Sequence, residues 1–504
     1  MEFMFWLGLA LLGATATAGA EGMSTNRLSL EECVRLALEH NYDLQIERLN
    51  PEIARYGLAE AGAAFEPVFN VNGGEQFVTV PGGVDPKKAG LDAPYELTTD
   101  GVGTGVFGVL PTGLQYGIQA AGNRLSAVTD FSTPFVTFLR YTNQYTAEAA
   151  LTLRQPLLRD MWTDRYRQAI ALNRKNLKIS EQSLRWRMMN TVNAVQQAYY
   201  ELIFAREKVR IEEHALALAE RLLVGTRRRV EVGDTSPLDA EQAAAQVESI
   251  RTSVYSSQQS LSKQQNALKQ LLTDDFPGWA DKNIEPSDEL TRVPDTSDRS
   301  ESWHHAIDHR PDLAEVRLDL EKQGINVRYR FNQLFPSLDL VGGYGLRSQE
   351  NSGESTLADI RDRSKPGYSF GAVLSIPLGG NQAARNRYKA GQAAKQQAVL
   401  RLKKLQQDVL MQVDDSITAV RFAFKRTESA RKARHYAEAA LDAEQKKLKD
   451  GITTTFLVLQ FQQKLEAAQM DEIRALADYH EAQAQLALHD GSTLEKNRLQ
   501  VDLK

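Results

Sequence analysis

The chain of 504 residues repeats its own order of features, and this duplication constrains the fold more than any other property. The first pair of echoes is offset by 269 residues, from His40 to His309. The matching stretches are 37–44 and 306–313, then 154–157 and 375–378, then 232–235 and 450–453. Three echoes in one order indicate a duplicated unit that runs helix, strands, long helix, tight turn, long helix. Such a chain suits an assembly with internal pseudo-symmetry better than a single catalytic pocket.

The duplication divides the chain into five segments. These are a signal peptide at 1–20, a first repeat at 28–274 with strands in 65–156, a linker at 275–300, a second repeat at 301–491 with strands in 336–377, and a polar tail at 492–504. The apolar run at the start, followed by Ala18-Gly19-Ala20, is typical of a cleaved secretory signal. The single cysteine, Cys33, can form no disulfide within the chain, and we expect a buried thiol.

Composition excludes several classes of function. Lys and Arg number 60 against 65 Asp and Glu, so no basic excess indicates a nucleic-acid partner. After the first 20 residues no apolar run approaches the ~18–20 residues that a membrane-spanning helix needs. We find no nucleophile with a neighbouring base, so we predict no enzyme and no cofactor. His304, His305 and His309 are interpreted as helix-surface histidines, and no metal site is predicted.

Long helices and short strands alternate along the chain. Stretches without proline predict helices from about Leu158 to Val232 and from about Gln382 to Asp450, with apolar residues at near-heptad spacing. Alternation with a period of two predicts strands. They lie near 68–74, 102–110, 114–120 and 146–153 in the first repeat, and near 337–344 and 368–376 in the second. The stretches 81–100 and 123–145 are interpreted as long connections.

Strands and long helices together indicate a membrane conduit. Lipid supplies no hydrogen-bond partners, so only helices or closed barrels span it. An exported chain without a spanning helix, but with amphipathic strands of about the right length, is typical of an outer-membrane barrel. A few strands cannot close a barrel alone, so several chains must contribute. The predicted fold is therefore mixed: long antiparallel helical hairpins that form an α-barrel, and strands that contribute to a shared transmembrane β-barrel.

The ordered features resemble the TolC family of outer-membrane efflux channels from Leu28 to about Gly491. The resemblance rests on the strand-to-helix junctions at 155–158 and 376–378 and on the hairpin at 232–239, present in the same order in both repeats. It implies a homotrimer in outer-membrane lipid, reaching into the periplasm. It also implies a periplasmic adaptor protein that links the channel to an inner-membrane pump or ABC transporter.

The strand count leaves two alternatives open. The resemblance implies two strands per repeat and twelve strands in the trimer. The first repeat, however, holds an extra hairpin around Pro111-Thr112-Gly113, which would give six strands per chain and eighteen per trimer.

The two helical hairpins are the predicted periplasmic tip that docks the adaptor. Their residues are Gly233, Asp234, Thr235, Ser236 and Pro237, then Gly451, Ile452, Thr453 and Thr454. Glycine permits the left-handed backbone of a sharp helix exit, and Pro237 suits the first turn of the returning helix. The alternative is that these are ordinary turns.

The resemblance also locates a candidate pore constriction. Acidic residues line this constriction in known members of the family, but the corresponding positions here are Leu457 and Gln460. Asp239 matches an acidic position, whereas the arginine that would pair with it falls at Thr453. We therefore expect a differently built constriction at Asp239, Phe456, Leu457 and Gln460, with reduced cation selectivity.

The predicted function is the exit duct of a tripartite efflux or type I secretion system. The alternative is a periplasmic coiled-coil adaptor or scaffold without a pore. Such an adaptor would carry a lipoyl-like β domain rather than duplicated strand pairs that lead into heptad helices. The transported substrate is not encoded in these features.

Overall fold

The structure is a computed structural model that describes residues 25–84, 91–92, 94–130, 136–233, 235–292, 294, 298–450 and 452–499. The predicted signal peptide, Asp234 and Gly451 lie outside these residues. The chain forms two compact units, and each draws on both repeats. The helical unit comprises Met1–Gln45, Arg187–Asp308 and Met411–Val501, and the sheet unit comprises Ile46–Trp186, His309–Leu410 and Asp502–Lys504.

Helices make up most of the described chain. They are α1 (Leu30–His40), α2 (Tyr42–Ala63), α3 (Arg165–Glu231), α4 (Pro237–Leu272), α5 (Phe276–Trp279), α6 (Arg299–His309), α7 (Pro311–Asn332), α8 (Gly353–Arg361), α9 (Gln382–Lys449), α10 (Thr455–His489) and α11 (Thr493–Lys496). At ~1.5 Å per residue, α3 and α9 are each about 100 Å long. Among the described residues, no helix is both long and apolar enough to serve as a membrane span.

Local sequence explains where these helices begin. The Ser29 hydroxyl accepts a hydrogen bond from the Glu32 amide at 3.3 Å, and the Glu32 carboxylate accepts one from the Ser29 amide at 2.8 Å. This capping box satisfies two amide groups that the first turn of α1 leaves free. Asp164 does the same for α3, because its carboxylate accepts bonds from the amides of Tyr166 and Arg167.

The strands of the described residues form one six-stranded antiparallel sheet and two small pairs. The strands are β1 (Thr25–Leu28), β2 (Val68–Val80), β3 (Gly83–Val84), β4 (Leu91–Asp92), β5 (Tyr95–Val109), β6 (Gln115–Asp130), β7 (Leu139–Pro156), β8 (Asn283–Pro286), β9 (Ser337–Glu350) and β10 (Pro366–Ser375). The large sheet has the order β10-β9-β7-β6-β5-β2. It therefore contains six strands per chain, which selects the six-strand alternative left open by the sequence.

The extra hairpin is an integral part of this sheet. β5 pairs with β2 on one side and with β6 on the other, and β6 pairs with β7. Its turn is tight because Gly113 has φ +87°, a backbone angle that favours glycine. The turn also contacts the start of α3, where the Arg167 side chain donates a hydrogen bond to the Pro111 carbonyl at 3.0 Å. The β5–β6 turn thus lies at the end of the sheet from which the helices leave.

The two faces of the sheet differ in polarity over its six-stranded part. One rung of paired residues consists of Phe69, Val106, Ile118, Leu151, Tyr344 and Tyr368. We call the face that carries this rung the Leu151 face. The opposite Glu148 face carries the rung Asn72, Gly103, Ala121, Glu148 and Arg347. Many apolar side chains on the Leu151 face are exposed, with Phe69 at 66% and Tyr368 at 89%.

The helical unit has a conventional apolar core. Its centre is formed by α1, α3 and α4, which contribute Cys33, Val195, Leu202, Leu268 and Leu272 among others. Cys33 is fully buried, as the sequence predicts, and burial raises the pKa of its thiol to about 12.

Two stretches carry more structure than the sequence indicates. The residues within 81–100 and 123–145, interpreted as long connections, include the outer halves of β5, β6 and β7. The segment 275–300 includes α5 and β8, and β8 pairs in parallel with β1. In both places cross-strand pairing provides the order, and pairing between distant stretches is not visible in local composition.

Candidate functional site

The first helical hairpin turns sharply at a glycine. α3 ends at Glu231, and the Gly233 amide donates a hydrogen bond to the Val230 carbonyl at 3.0 Å. Gly233 has φ +80°, a conformation that costs a residue with a Cβ atom about 1–2 kcal/mol. A Cβ added there would meet no atom within 4 Å. The backbone angle, rather than crowding, therefore requires glycine at this turn.

The N-terminus of α4, the second helix of this hairpin, is capped by residues of the turn. Ser236 is the N-cap, and its hydroxyl accepts a hydrogen bond from the Leu238 amide at 3.3 Å. Pro237 occupies the first helical position, as the sequence predicts. The Thr235 hydroxyl donates a hydrogen bond to the Asp239 carboxylate. Asp239 is thus engaged within its own hairpin, four residues from its partner.

In the second hairpin the turn residues form hydrogen bonds back to the preceding helix, rather than forward to the following helix as in the first hairpin. The Ile452 amide donates a hydrogen bond to the Lys447 carbonyl at 2.9 Å, and the Thr453 hydroxyl donates one to the Glu444 carboxylate at 2.5 Å. The Lys447 ammonium lies 3.0 Å from the same carboxylate. The Thr453 hydrogen bond, followed by that of Lys447, lowers the pKa of Glu444. Thr454 is the N-cap of α10 but makes no side-chain cap bond.

The candidate constriction residues of α10 share one exposed face. Phe456, Leu457 and Gln460 are exposed, whereas Val458 and Leu459 are buried. Two large apolar side chains, Phe456 and Leu457, are therefore exposed to solvent on the first turn of α10. Their part in a pore, like that of Asp239, stays a prediction.

Exposed apolar side chains are a shared property of both tips. Val232 is 79% exposed, Leu238 62% and Ile452 74%. Isolated exposed apolar residues need no explanation, but a group at the ends of two helical hairpins is typical of an interaction surface.

Two carboxylates, a buried one and a half-buried one, lie where the two hairpins pack together, and sequence reasoning missed them. Glu212 of α3 is only 3% exposed, and its Oε2 atom has no hydrogen-bond partner among the described residues. Burial, and after it the charge of Glu212, raise the pKa of Glu466 in α10 to about 7. Heptad spacing could have found both residues, since Glu212 is seven residues after buried Ala205 and Glu466 is seven after buried Leu459.

The same region contains a small cavity. Its volume is about 50 Å³, and all four long helices contribute to its wall. The lining includes Leu218 of α3, Ile250 of α4, Leu441 of α9 and Glu466 of α10. The cavity wall therefore combines apolar side chains with polar ones, among them His214, Gln246 and Glu466.

Comparisons with known proteins agree with this architecture. The model of a family described as outer membrane efflux protein matches residues 113–273 and 303–492, which is more than half of the chain. The chain belongs to this family. The resemblance predicted from the sequence is thereby confirmed, and with it the outer-membrane location.

Individual relatives are distant. The chain is 25% identical over 247 residues to the probable outer membrane lipoprotein SilC of Salmonella typhimurium, and the match covers 49% of this chain and 51% of that protein. It is 24% identical over 306 residues to the outer membrane protein TolC of Vibrio cholerae, with coverages of 59% and 68%. The chain spans about half the length of SilC and about a third of the length of the efflux pump protein TtgC of Pseudomonas putida.

Solved structures share the fold over almost the whole chain. The outer-membrane channel OprN superposes with a TM-score of 0.68 at 15% identity, covering 92% of this chain and 90% of its own. The CmeC outer membrane channel of Campylobacter jejuni gives 0.67 at 16% identity, with coverages of 96% and 94%. These relatives are channels rather than enzymes.

Proposed function

We propose that three copies of this member of the outer membrane efflux protein family form a passive exit duct. In this proposal the sheet crosses the outer membrane, and the long helices form a barrel in the periplasm. The duct conducts substrates that an inner-membrane pump or ABC transporter delivers. The observation that carries the proposal is a sheet with one exposed apolar face, one polar face and two edges that pair on one side only.

The edges explain why copies must associate. Within the described strands, β2 and β10 each have a single neighbour. Because all five pairings between the six strands are antiparallel, β2 and β10 run in opposite directions. The β10 strand of one copy can therefore continue the pattern beside β2 of the next. Three copies would close an eighteen-stranded barrel with no free edge, its Leu151 face toward lipid and its Glu148 face toward the lumen.

The tip supports a periplasmic adaptor as partner. Both helix hairpins end in exposed apolar residues and in turns fixed by local hydrogen bonds, so they present a defined surface for docking. Asp234 and Gly451 complete the proposed docking tip on sequence grounds. Phe456, Leu457, Gln460 and Asp239 form the proposed constriction. The periplasmic adaptor without a pore is disfavoured, because the chain belongs to a family of channels and carries a six-stranded sheet.

A pair of substitutions on one strand tests the membrane-facing assignment. Phe370 of β10 is 82% exposed on the Leu151 face, and its neighbour Ser369 lies on the Glu148 face. An arginine on the lipid face near the middle of a bilayer costs about 2–4 kcal/mol. Phe370→Arg should therefore abolish insertion, measured as trimer recovered from outer-membrane fractions by native mass, whereas Ser369→Arg should insert. Equal insertion of both variants, or a wild-type chain that is a monomer without conductance in planar bilayers, would sink the proposal.

A further inference from the structure

Helix α6 carries two histidines on one face, and folding brings a carboxylate to them. His305 and His309 are four residues apart, so they lie one turn apart on the same side of α6. Glu495 of α11 completes a group of three, in which one ligand atom from each side chain lies within 4.8 Å of the other two. The sequence alone predicts no metal site here, because Glu495 is remote from the histidines along the chain.

A backbone carbonyl orients the ring of His305. Its Nδ1 atom lies 2.7 Å from the carbonyl oxygen of Asp490, and its Nε2 atom lies 3.4 Å from Oε2 of Glu495. A carbonyl oxygen only accepts hydrogen bonds, so Nδ1 carries the proton and donates it. In the neutral ring the lone pair is then on Nε2, which faces the carboxylate. Metal-binding histidines commonly donate their other ring N–H to a carbonyl in this way, which fixes the tautomer and the ring orientation.

The segment that carries Glu495 is held in place by its own hydrogen bonds. Asp490 ends α10, and its amide donates to the Leu486 carbonyl at 2.8 Å. The Asp490 carboxylate accepts hydrogen bonds from both the amide and the hydroxyl of Ser492. Asp490, Ser492 and Thr493 are all buried. Glu495 therefore projects from a packed segment, and its position beside α6 follows from the fold.

We propose that His305, His309 and Glu495 bind a divalent transition-metal ion such as Zn²⁺, which fastens the segment after α10 to α6. Imidazole and carboxylate ligands suit zinc, and three protein ligands leave one position for water. Two ligand atoms that are each about 2.1 Å from a tetrahedral zinc ion lie about 3.4 Å apart. This is the separation between Nε2 of His305 and Oε2 of Glu495. His309 and Glu495 are exposed, so an ion can enter from solvent.

The first repeat offers an internal comparison. At the offset of 269 residues, His40 corresponds to His309 and Leu36 corresponds to His305. His40 has a carboxylate neighbour, since its Nδ1 atom lies 3.4 Å from Oδ2 of Asp274. Leu36, however, packs against the apolar core. The second histidine on one helix face is thus the feature that distinguishes the proposed site from its counterpart in the first repeat.

A zinc titration tests the site. The purified full-length protein, free of any histidine tag and of bound metal, should bind one Zn²⁺ per chain in isothermal titration calorimetry. Glu495→Gln keeps the shape of the side chain but should weaken binding by at least about tenfold, since losing even an outer partner of a ligand costs about 10–100-fold. His304→Ala is the matched control, because His304 is exposed on α6 outside the group of three. Absence of saturable binding, or equal affinity in the wild type and Glu495→Gln, would overturn the proposal and leave His305 and Glu495 as an ion pair only.

Thermal unfolding gives a second measurement on the same variants. An ion that binds only the folded chain raises the melting temperature. Zn²⁺ should therefore raise it by a few degrees in the wild type and in His304→Ala, but not in Glu495→Gln. Mg²⁺ prefers octahedral oxygen ligands and should have no such effect. Zinc binding without a shift in melting temperature would contradict a site that folding assembles.

The inference goes beyond the proposed exit duct and does not depend on it. The three side chains belong to one chain, so the titration needs no trimer. A chain that binds zinc but fails the native-mass test would contradict the duct alone. A trimer that conducts but binds no zinc would contradict the metal site alone.

Discussion

The two repeats agree in their helices and differ in their strands. The first repeat has long helices of 67 and 36 residues, and the second has 68 and 35. The first contributes four strands to the large sheet, however, and the second contributes two. Helix length is constrained because all four helices pack together along heptad seams, where a change in one would misplace its contacts with the others. The number of strands in a repeat is less constrained. It can change by two at a time, because a pair of antiparallel strands returns the chain to the end of the sheet from which it started.

The first prediction removes the difference in strand number between the two repeats. Replacing residues 81–139 with Asn-Gly would join Val80 to Arg140 in a two-residue hairpin. Both residues lie on the Glu148 face, so β2 and β7 would pair with their faces in register. We expect a trimer with twelve strands and a rim about two-thirds as wide in electron-microscopy class averages, since barrel diameter grows roughly in proportion to strand number. A variant that does not insert would show that the first repeat needs its extra hairpin.

The first repeat's tip can be tested against a second glycine on the same helix. Gly233→Leu forces a side chain into a left-handed backbone, at a cost of about 1–2 kcal/mol. Gly225 of α3 also has open space around it but lies within the helix, so Gly225→Leu is the matched control. Export in cells that carry the native pump should be lost with Gly233→Leu and kept with Gly225→Leu, while both insert normally. Normal export by Gly233→Leu would count against docking at this turn.

The carboxylate between the two hairpins predicts a dependence of stability on pH. The pKa of Glu466 is raised from 4.5 to about 7 on folding, so the folded chain binds the extra proton between these values. The associated stability is complete below about pH 4.5 and is lost as pH rises to about 7. Glu466→Gln should therefore match the wild-type melting temperature at pH 5 and exceed it by a few degrees at pH 8.

Glu438 provides the control for this measurement. It is exposed on α9, so Glu438→Gln should shift the melting temperature little at either pH. Parallel pH profiles for the wild type and Glu466→Gln would show that this carboxyl does not titrate in the folded hairpins.

The smallest effect is expected at Asp239. Its carboxylate accepts a hydrogen bond from Thr235, and the matching second-hairpin position holds Thr453 rather than an arginine. Asp239→Asn should shift the reversal potential of planar-bilayer currents by only a few millivolts. A strong cation selectivity that disappears in this variant alone would place the gate at Asp239.

Local signals in the sequence were sufficient for much of the fold. The bounds of α9 and the Pro111-Thr112-Gly113 turn follow from neighbouring residues, and the structure confirms both. The outer halves of β5 and β6 could not be predicted in this way. Charged residues such as Glu96 and Arg124 lie there on the face that is apolar in the inner halves of the same strands, so the period-two alternation does not continue outward.

In the candidate site, too, some features follow from local sequence and others depend on packing between distant residues. The turns at Gly233 and Pro237 follow from backbone preferences, and they were found. The bond from Thr453 back to Glu444 and the approach of Glu212 to Glu466 depend on how distant turns of helix meet. Such contacts follow from packing rather than from propensity, so only an explicit heptad register could have suggested them.

The tight turn at Gly113 has a consequence for how such channels can diversify. A further hairpin inserted at this turn would begin and end at the same edge of the sheet, so the neighbouring strands would keep their positions and directions. In the proposed threefold ring each such insertion would add six strands to the circumference. The width of the proposed barrel could thus increase in fixed steps while the proposed docking tip stays unchanged.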